Sequence, residues 1–298
     1  MSPAPIALFV YARPEHTRRT VDALLKNVLA EQSTLFIFSD APRSPADNAA
    51  VEEVRDYIRT VSGFRSVNIV ERGKNLGLAA SIIDGVTSIV TAHGAVIVVE
   101  DDLVTSPYFL QYMNDGLRMY ENDDDVISIH GYLYPVRTPL PDSFFICGAD
   151  CWGWGTWKRG WEQFEPDGTV LLRSLTSKGL HNAFDWDGHY GNMRMLKRQI
   201  AGTVDSWAIR WHASAFLKRK LTLYPGISLV RNIGGDELGT HTKSLTEFQV
   251  PLADRPLTLV RLPRQESTEG RKAFVDFFAG IQQSVFRKII RRITTFWS

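Results

Sequence analysis

The sequence has only two cysteines in 298 residues, Cys147 and Cys151. That excludes a disulfide scaffold, and two thiols four apart cannot by themselves build a four-ligand zinc site. No apolar run approaches the roughly 18 residues that a spanning helix needs. The opening Met1-Ser2-Pro3-Ala4-Pro5 lacks the basic and apolar regions of a signal peptide. Both observations read as a reduced, cytoplasmic chain. Charge of one sign is missing too. The formal net charge is +1, so nothing points to nucleic acid or to an acidic partner. There is no internal repeat and no low-complexity tract. Tyr11-Ala12-Arg13-Pro14 follows the first apolar run, where a dinucleotide oxidoreductase would carry G-x-G-x-x-G. No P-loop pattern occurs, which counts against an ordinary nucleotide triphosphatase.

What is there centres on Ala95-Val96-Ile97-Val98-Val99-Glu100-Asp101-Asp102. Five apolar residues, four of them β-branched, read as a strand buried on both faces. Three carboxylates follow at its carboxyl end, where open α/β sheets bind ligands. Packed carboxylates repel one another, so a divalent metal with a phosphorylated ligand is the natural counterpart. Upstream, strands are predicted at Ile6 to Tyr11, Leu35 to Ser39 and Val67 to Val70. Helices are predicted at Pro14 to Leu29, Ala46 to Val61 and Leu78 to Thr91. Such alternation implies a parallel sheet with right-handed crossovers.

Ser106-Pro107 reads as a helix start, with strands at Val126 to His130 and Phe144 to Cys147 beyond it. The pattern is then mostly helical from Gly168 to about Lys218, with a short strand at Leu221 to Tyr224. Four of the eight tryptophans crowd into residues 152 to 161. Asn232 to His241 is a glycine-rich loop, and Pro251 to Thr268 an irregular wrapping segment. The tail from Phe274 to Trp297 places Phe277, Phe278, Ile281, Val285, Ile289 and Ile293 at near-helical spacing among arginines and lysines. It reads either as a basic amphipathic helix in a membrane interface or as one packed on protein.

Several of these features, in order, resemble the GT-A glycosyltransferases, and more narrowly the N-acetylglucosaminyltransferase I family and allied bacterial transferases. They are Asp40 closing the second strand, Glu100-Asp101-Asp102 followed by Ser106-Pro107-Tyr108-Phe109, Gly153-Trp154 with Trp161 seven residues on, and Asp205-Ser206-Trp207. The chain lacks the animal enzymes' membrane anchor, and its sequence between Arg72 and Ala80 differs from theirs. The resemblance implies a GT-A domain over residues 1–245: a nucleotide-sugar half, 1–130, and a largely helical acceptor half, 131–245. Residues 246–298 would form the wrapping segment and basic C-terminal helix. It further implies inverting transfer from a UDP-sugar, with Mn²⁺ or Mg²⁺, to a hydroxyl of a glycan or lipid-linked glycan.

On that resemblance Asp102 is a metal ligand, Glu100 and Asp101 contact the donor's ribose or sugar, and Asp40 bonds the uracil or ribose. Asp205 is the catalytic base, with Asp185 or Asp187 in reserve. Arg13 is expected at the nucleotide. Trp154 is expected near the acceptor, and His241 at the metal or diphosphate. Most of these residues also have plainer readings: Asp40 and Asp205 as caps, Arg13 as a surface charge, the tryptophans as core. Two other classes share parts of the pattern. A sugar nucleotidyltransferase would share fold and metal but have a glycine-rich N-terminal phosphate loop. A non-catalytic glycan-binding protein would keep the tryptophans without needing the carboxylates.

Overall fold

A computed structural model describes residues 2–235 and 245–294. The chain begins with β1 (Ile6–Val10), α1 (Pro14–Leu25), β2 (Thr34–Ser39), α2 (Asn48–Ile58), β3 (Ser66–Glu71), α3 (Leu78–His93) and β4 (Ala95–Glu100). All the pairings in this half are parallel, and the strand order is β3-β2-β1-β4. Alternation within the strands explains the layers. Ile6, Leu8, Val10, Ile97 and Val99 face one way, onto α1 and α2. Ala7, Phe9, Val96 and Val98 face the other way, onto α3. A strand clad on both sides must be apolar throughout, which is why β1 and β4 read as unbroken hydrophobic runs.

The second half adds β5 (Leu103–Thr105), α4 (Phe109–Met119), β6 (Val126–His130), β7 (Ser143–Cys147), β8 (Trp154–Trp157) and the short α5 (Lys158–Trp161). After these come α6 (Gly168–Ser177), the short α7 (His181–Phe184), α8 (Asn192–Ile200), α9 (Trp207–Leu217), β9 (Leu221–Pro225), β10 (Val230–Asn232) and α10 (Thr268–Thr294). The sheet continues β4-β8-β6-β9-β7, with β8 and β7 antiparallel to the rest. The result is a mixed α/β fold: a large, mostly parallel sheet flanked by helices, with the helical stretch expected after residue 168. β5 and β10 form a separate antiparallel pair.

Strand β8 departs from expectation. The Trp-rich segment, in which Trp154 is expected near the acceptor and core packing is the plainer reading, enters the middle of the sheet between β4 and β6. Trp-Gly-Thr-Trp carries no alternation of polar and apolar residues, because both of its faces are buried. Gly153, with φ +67°, admits the turn into this strand, and a Cβ there would meet Val230 Cγ2 at 2.6 Å.

Residues 250–266 wrap the sheet as expected. Ser106 Oγ donates to Ala253 O at 2.7 Å, Leu262 N to the Tyr120 hydroxyl at 2.9 Å, and Arg261 pairs with Asp123 at 2.5 Å. The first turns of α10 belong to the core: Phe274 and Phe278 are buried with Phe144, Ile146, Trp186 and Tyr224. Among the described residues no helix is long and apolar enough to cross a membrane.

Candidate active site

Strand order reverses between β1, which leads outward to β2, and β4, which opens the other half. That reversal leaves a crevice beyond the carboxyl ends of β1 and β4. The loop leaving β1 and the carboxylates leaving β4 meet there. Arg13 Nη1 lies 3.1 Å from Asp102 Oδ2 and 3.9 Å from Asp101 Oδ1. Tyr11 N donates to Asp101 Oδ2 at 3.3 Å, and Thr20 Oγ1 to Asp101 O at 2.8 Å. Asp102 is held from the other side by the segment after β10: Ile233 N donates to Asp102 O at 2.8 Å. A Cβ on Gly234 would overlap the Asp102 carboxylate, so only glycine lets that backbone cover it. His16, three residues beyond Arg13, has its Nε2 3.3 Å from Ile233 O. The sequence hint for His16 was its place one helical turn from Arg13, and it was missed.

Burial pushes all three carboxyls above their ordinary range, with repulsion from neighbouring carboxylates adding to it at Glu100 and Asp101, against the pull of Arg13. Glu100 is raised well above it, Asp101 to about 7, and Asp102 less so because Arg13 both attracts it and bonds to it. The cluster sets three carboxyls beside one arginine, so its ionised form is short of positive charge. Its donors are hard carboxylate oxygens, the set that Mg²⁺ or Mn²⁺ accepts. Among the described residues no three His, Cys, Asp or Glu are grouped to cage a metal ion. A cation there would therefore draw most of its ligands from water and from a bound molecule's oxygens rather than from a closed protein site. The expected second ligand, His241, lies outside the described residues.

Asp40 is only 6% exposed. Its carboxylate accepts from Ala41 N at 2.9 Å, from Leu76 N at 2.9 and 3.1 Å, and from Gly77 N at 2.9 Å. These bonds occupy the carboxylate, so Asp40 anchors the turn before α3 instead of offering a free acceptor to a base. Asp205 is exposed and comes to the same place: its Oδ2 is 3.3 Å from Ala79 N in the first turn of α3. It does not cap α9. Ser206 does, accepting from Ile209 N at 3.3 Å. Asp185 and Asp187 are engaged elsewhere. Asp185 accepts from Met193 N at 2.7 Å and so starts α8, and Asp187 pairs with Arg271 at 2.6 Å.

Trp154 corrects an expectation. It is fully buried, stacked on Trp207 at 5.2 Å with Trp161 and Trp211 close by. A ring with no exposed face is core and presents nothing to an acceptor. What the sequence did not disclose lies a few residues earlier. Asp150, in the loop entering β8, accepts from the Tyr134 hydroxyl at 2.6 Å, the Tyr224 hydroxyl at 3.4 Å and Cys151 N at 2.8 Å. His130, at the carboxyl end of β6, sits 3.9 Å from it. The imidazole is fully buried with neither ring nitrogen hydrogen-bonded, and burial pushes its pKa down to about 4. Burial first, then the charges of Asp150, Glu100 and Asp102, raise the Cys151 thiol far above its ordinary value. That thiol therefore feels the charge of both acidic groups.

No family model matches the chain, and no curated protein matches it. Among solved structures, one similar chain is the mannosyltransferase PcManGT from Pyrobaculum calidifontis in complex with GDP-Man and Mn²⁺. It is 12% identical, over 43% of this chain and 35% of that one, with a TM-score of 0.30. Another is S. aureus TarS 1–349 in complex with UDP, 10% identical over 42% of this chain and 34% of that one, with a TM-score of 0.28. The aligned part spans about a third of the length of each. Likeness at this level concerns the fold alone.

Proposed function

We propose that the protein is a glycosyltransferase. It transfers a sugar, GlcNAc or another hexose, from a UDP-sugar to a hydroxyl of a glycan or lipid-linked glycan, with inversion and with Mn²⁺ or Mg²⁺. The observation that carries this reading is the under-neutralised carboxylate cluster at the point where strand order reverses. Such a crevice takes a nucleotide, and such a charge calls for a cation. A divalent ion bound there supplies Lewis-acid stabilisation of the leaving diphosphate. Asp102 holds it. Arg13, 3.1 Å from Asp102, would face the donor's phosphate oxygens. Glu100 and Asp101 accept from the donor's ribose or sugar hydroxyls. Asp40 contributes by fixing the turn at 72–77 against the donor.

Asp205 takes the proton of the attacking hydroxyl. Its carboxylate is exposed and stands at the amino end of α3, 3.3 Å from Ala79 N. The work takes place in the cytoplasm, at or near the inner membrane face if the acceptor is lipid-linked.

Two measurements test this. Thermal unfolding with UDP and UDP-sugars, with and without Mn²⁺, is expected to show a metal-dependent rise; saturation to 100 times Kd adds about 2.7 kcal/mol. Asp102→Ala abolishes the rise. Absence of any nucleotide shift in the unmodified protein sinks the reading. Asp205→Asn is expected to keep the shift and to lose turnover about 10²-fold or more, the usual share of a general base.

A further inference from the structure

We propose that the bowl around Asp150 is a saccharide subsite, in which the Asp150 carboxylate binds a sugar hydroxyl and the surrounding rings bind the sugar's C–H faces. As an acceptor site, this rests on the transferase reading above. As a carbohydrate site, it stands on its own geometry.

The carboxylate is partly open, its side chain 23% exposed. Two tyrosine hydroxyls and one backbone N–H hold it. The Cys151 thiol bonds to it as well, and a sugar hydroxyl that displaces this weak donor gains an ionised acceptor. Tyr134 and Tyr224 come from a loop and from β9, and Phe274 packs on the faces of both, at 4.9 and 5.3 Å. The holder is therefore locked by the core, and the carboxylate is oriented before any ligand arrives. That is the arrangement a binding group needs.

The second observation is His130. A buried imidazole with both nitrogens unpartnered is uncommon, and each such group calls for an explanation. Its ring contacts Tyr224 at 4.8 Å and Tyr132 at 6.4 Å, and its Nε2 faces Asp150 across 3.9 Å. A hydroxyl bound at Asp150 has the donor and acceptor that this imidazole lacks.

The third is the wall. Tyr190, 42% exposed, acts electrostatically on Asp150 and Cys151 and packs on Phe278 at 4.5 Å. Trp152, half-buried, meets Tyr132 at 4.7 Å and Phe248 at 5.9 Å. Polar-edged rings around a carboxylate suit a ligand with apolar faces and hydroxyl edges. A phosphate or a carboxylate ligand would be repelled by Asp150. The subsite adjoins the proposed reaction centre, because Cys151, whose N–H bonds to Asp150, also feels the charges of Glu100 and Asp102.

The test uses methyl glycosides of glucose, galactose, mannose and N-acetylglucosamine, read by saturation-transfer NMR on the full chain, with UDP and Mn²⁺ binding measured in parallel. At least one glycoside is expected to give a signal with the unmodified protein. Asp150→Asn, which keeps shape but removes charge, is expected to weaken it tenfold or more without changing the UDP affinity. Tyr190→Ala, at a partly exposed ring, is expected to weaken it several-fold while the melting temperature, read in parallel, shows that the variant is folded. Undiminished glycoside binding in both variants overturns the subsite, as does UDP binding with no glycoside signal in the unmodified protein. Glycoside binding without UDP binding keeps the subsite and removes the transferase.

Discussion

His130 shows how a single buried side chain links stability to pH. Its imidazole has a pKa of about 4 in the folded protein against about 6.5 when exposed. The folded state therefore binds fewer protons than the unfolded state between those values. This contribution is intact above about pH 6.5 and is lost as pH falls through 4. The difference corresponds to about 3 kcal/mol at full protonation. His130→Phe keeps a ring and removes the titration. Urea unfolding between pH 7 and pH 4 is expected to show a shallower loss in the variant; equal slopes would mean that the imidazole is reached by water. The same residue illustrates what sequence could not show. A histidine ending an apolar strand looks like many others until Asp150 and Tyr224 arrive from other segments.

At the level of elements, the turn between β3 and α3 depends on a residue from a different strand. Asp40 closes β2, yet its carboxylate holds Leu76 N and Gly77 N, and Gly77 itself sits at φ +77°. Asp40→Ala would leave these amides without an acceptor. Hydrogen bonds to a charged group are worth roughly 1.5–3 kcal/mol each, so a loss of about 3 kcal/mol is expected in denaturant unfolding. Amide exchange should speed up first at Leu76 and Gly77. A variant with unchanged protection there would show that the turn holds itself. Asp205 meets the first turn of the same helix, so one short element gathers two of the acidic residues singled out from the sequence. The strand boundaries at β1, β2, β4 and β6 were legible because burial on both faces demands continuous apolar runs. β5 and β10 were not. Each has three residues, and their pairing, not their composition, makes them strands. β8 was missed for a related reason, since its side chains report burial rather than strand period.

Across the whole molecule, the C-terminal helix helps to build the surroundings of Asp150. Its sequence allowed either a membrane interface or packing on protein. The structure assigns Phe274 and Phe278 to packing. Phe274 touches Phe144, Trp186, Tyr134 and Tyr224, and the last two hold Asp150. Phe274→Ala is expected to cost about 3–5 kcal/mol, the usual range for a buried Phe, and to lower the melting temperature by several degrees. No change would return the helix to a purely peripheral role.

The sequence by itself determined the parallel half of the sheet, the place of the carboxylates at a strand's carboxyl end and the mostly helical stretch after residue 168. Those follow from local periodicity and from which residues can be buried, and neighbouring residues carry that information. Only the tertiary structure decided that β8 enters between β4 and β6, that Trp154 is core, that Asp40 is spent on a turn and that Asp150 stands open among tyrosines. Each of these depends on groups brought together from far apart in the chain. A side chain's free hydrogen-bonding capacity, unlike its hydrophobicity, is a property of its neighbours in space.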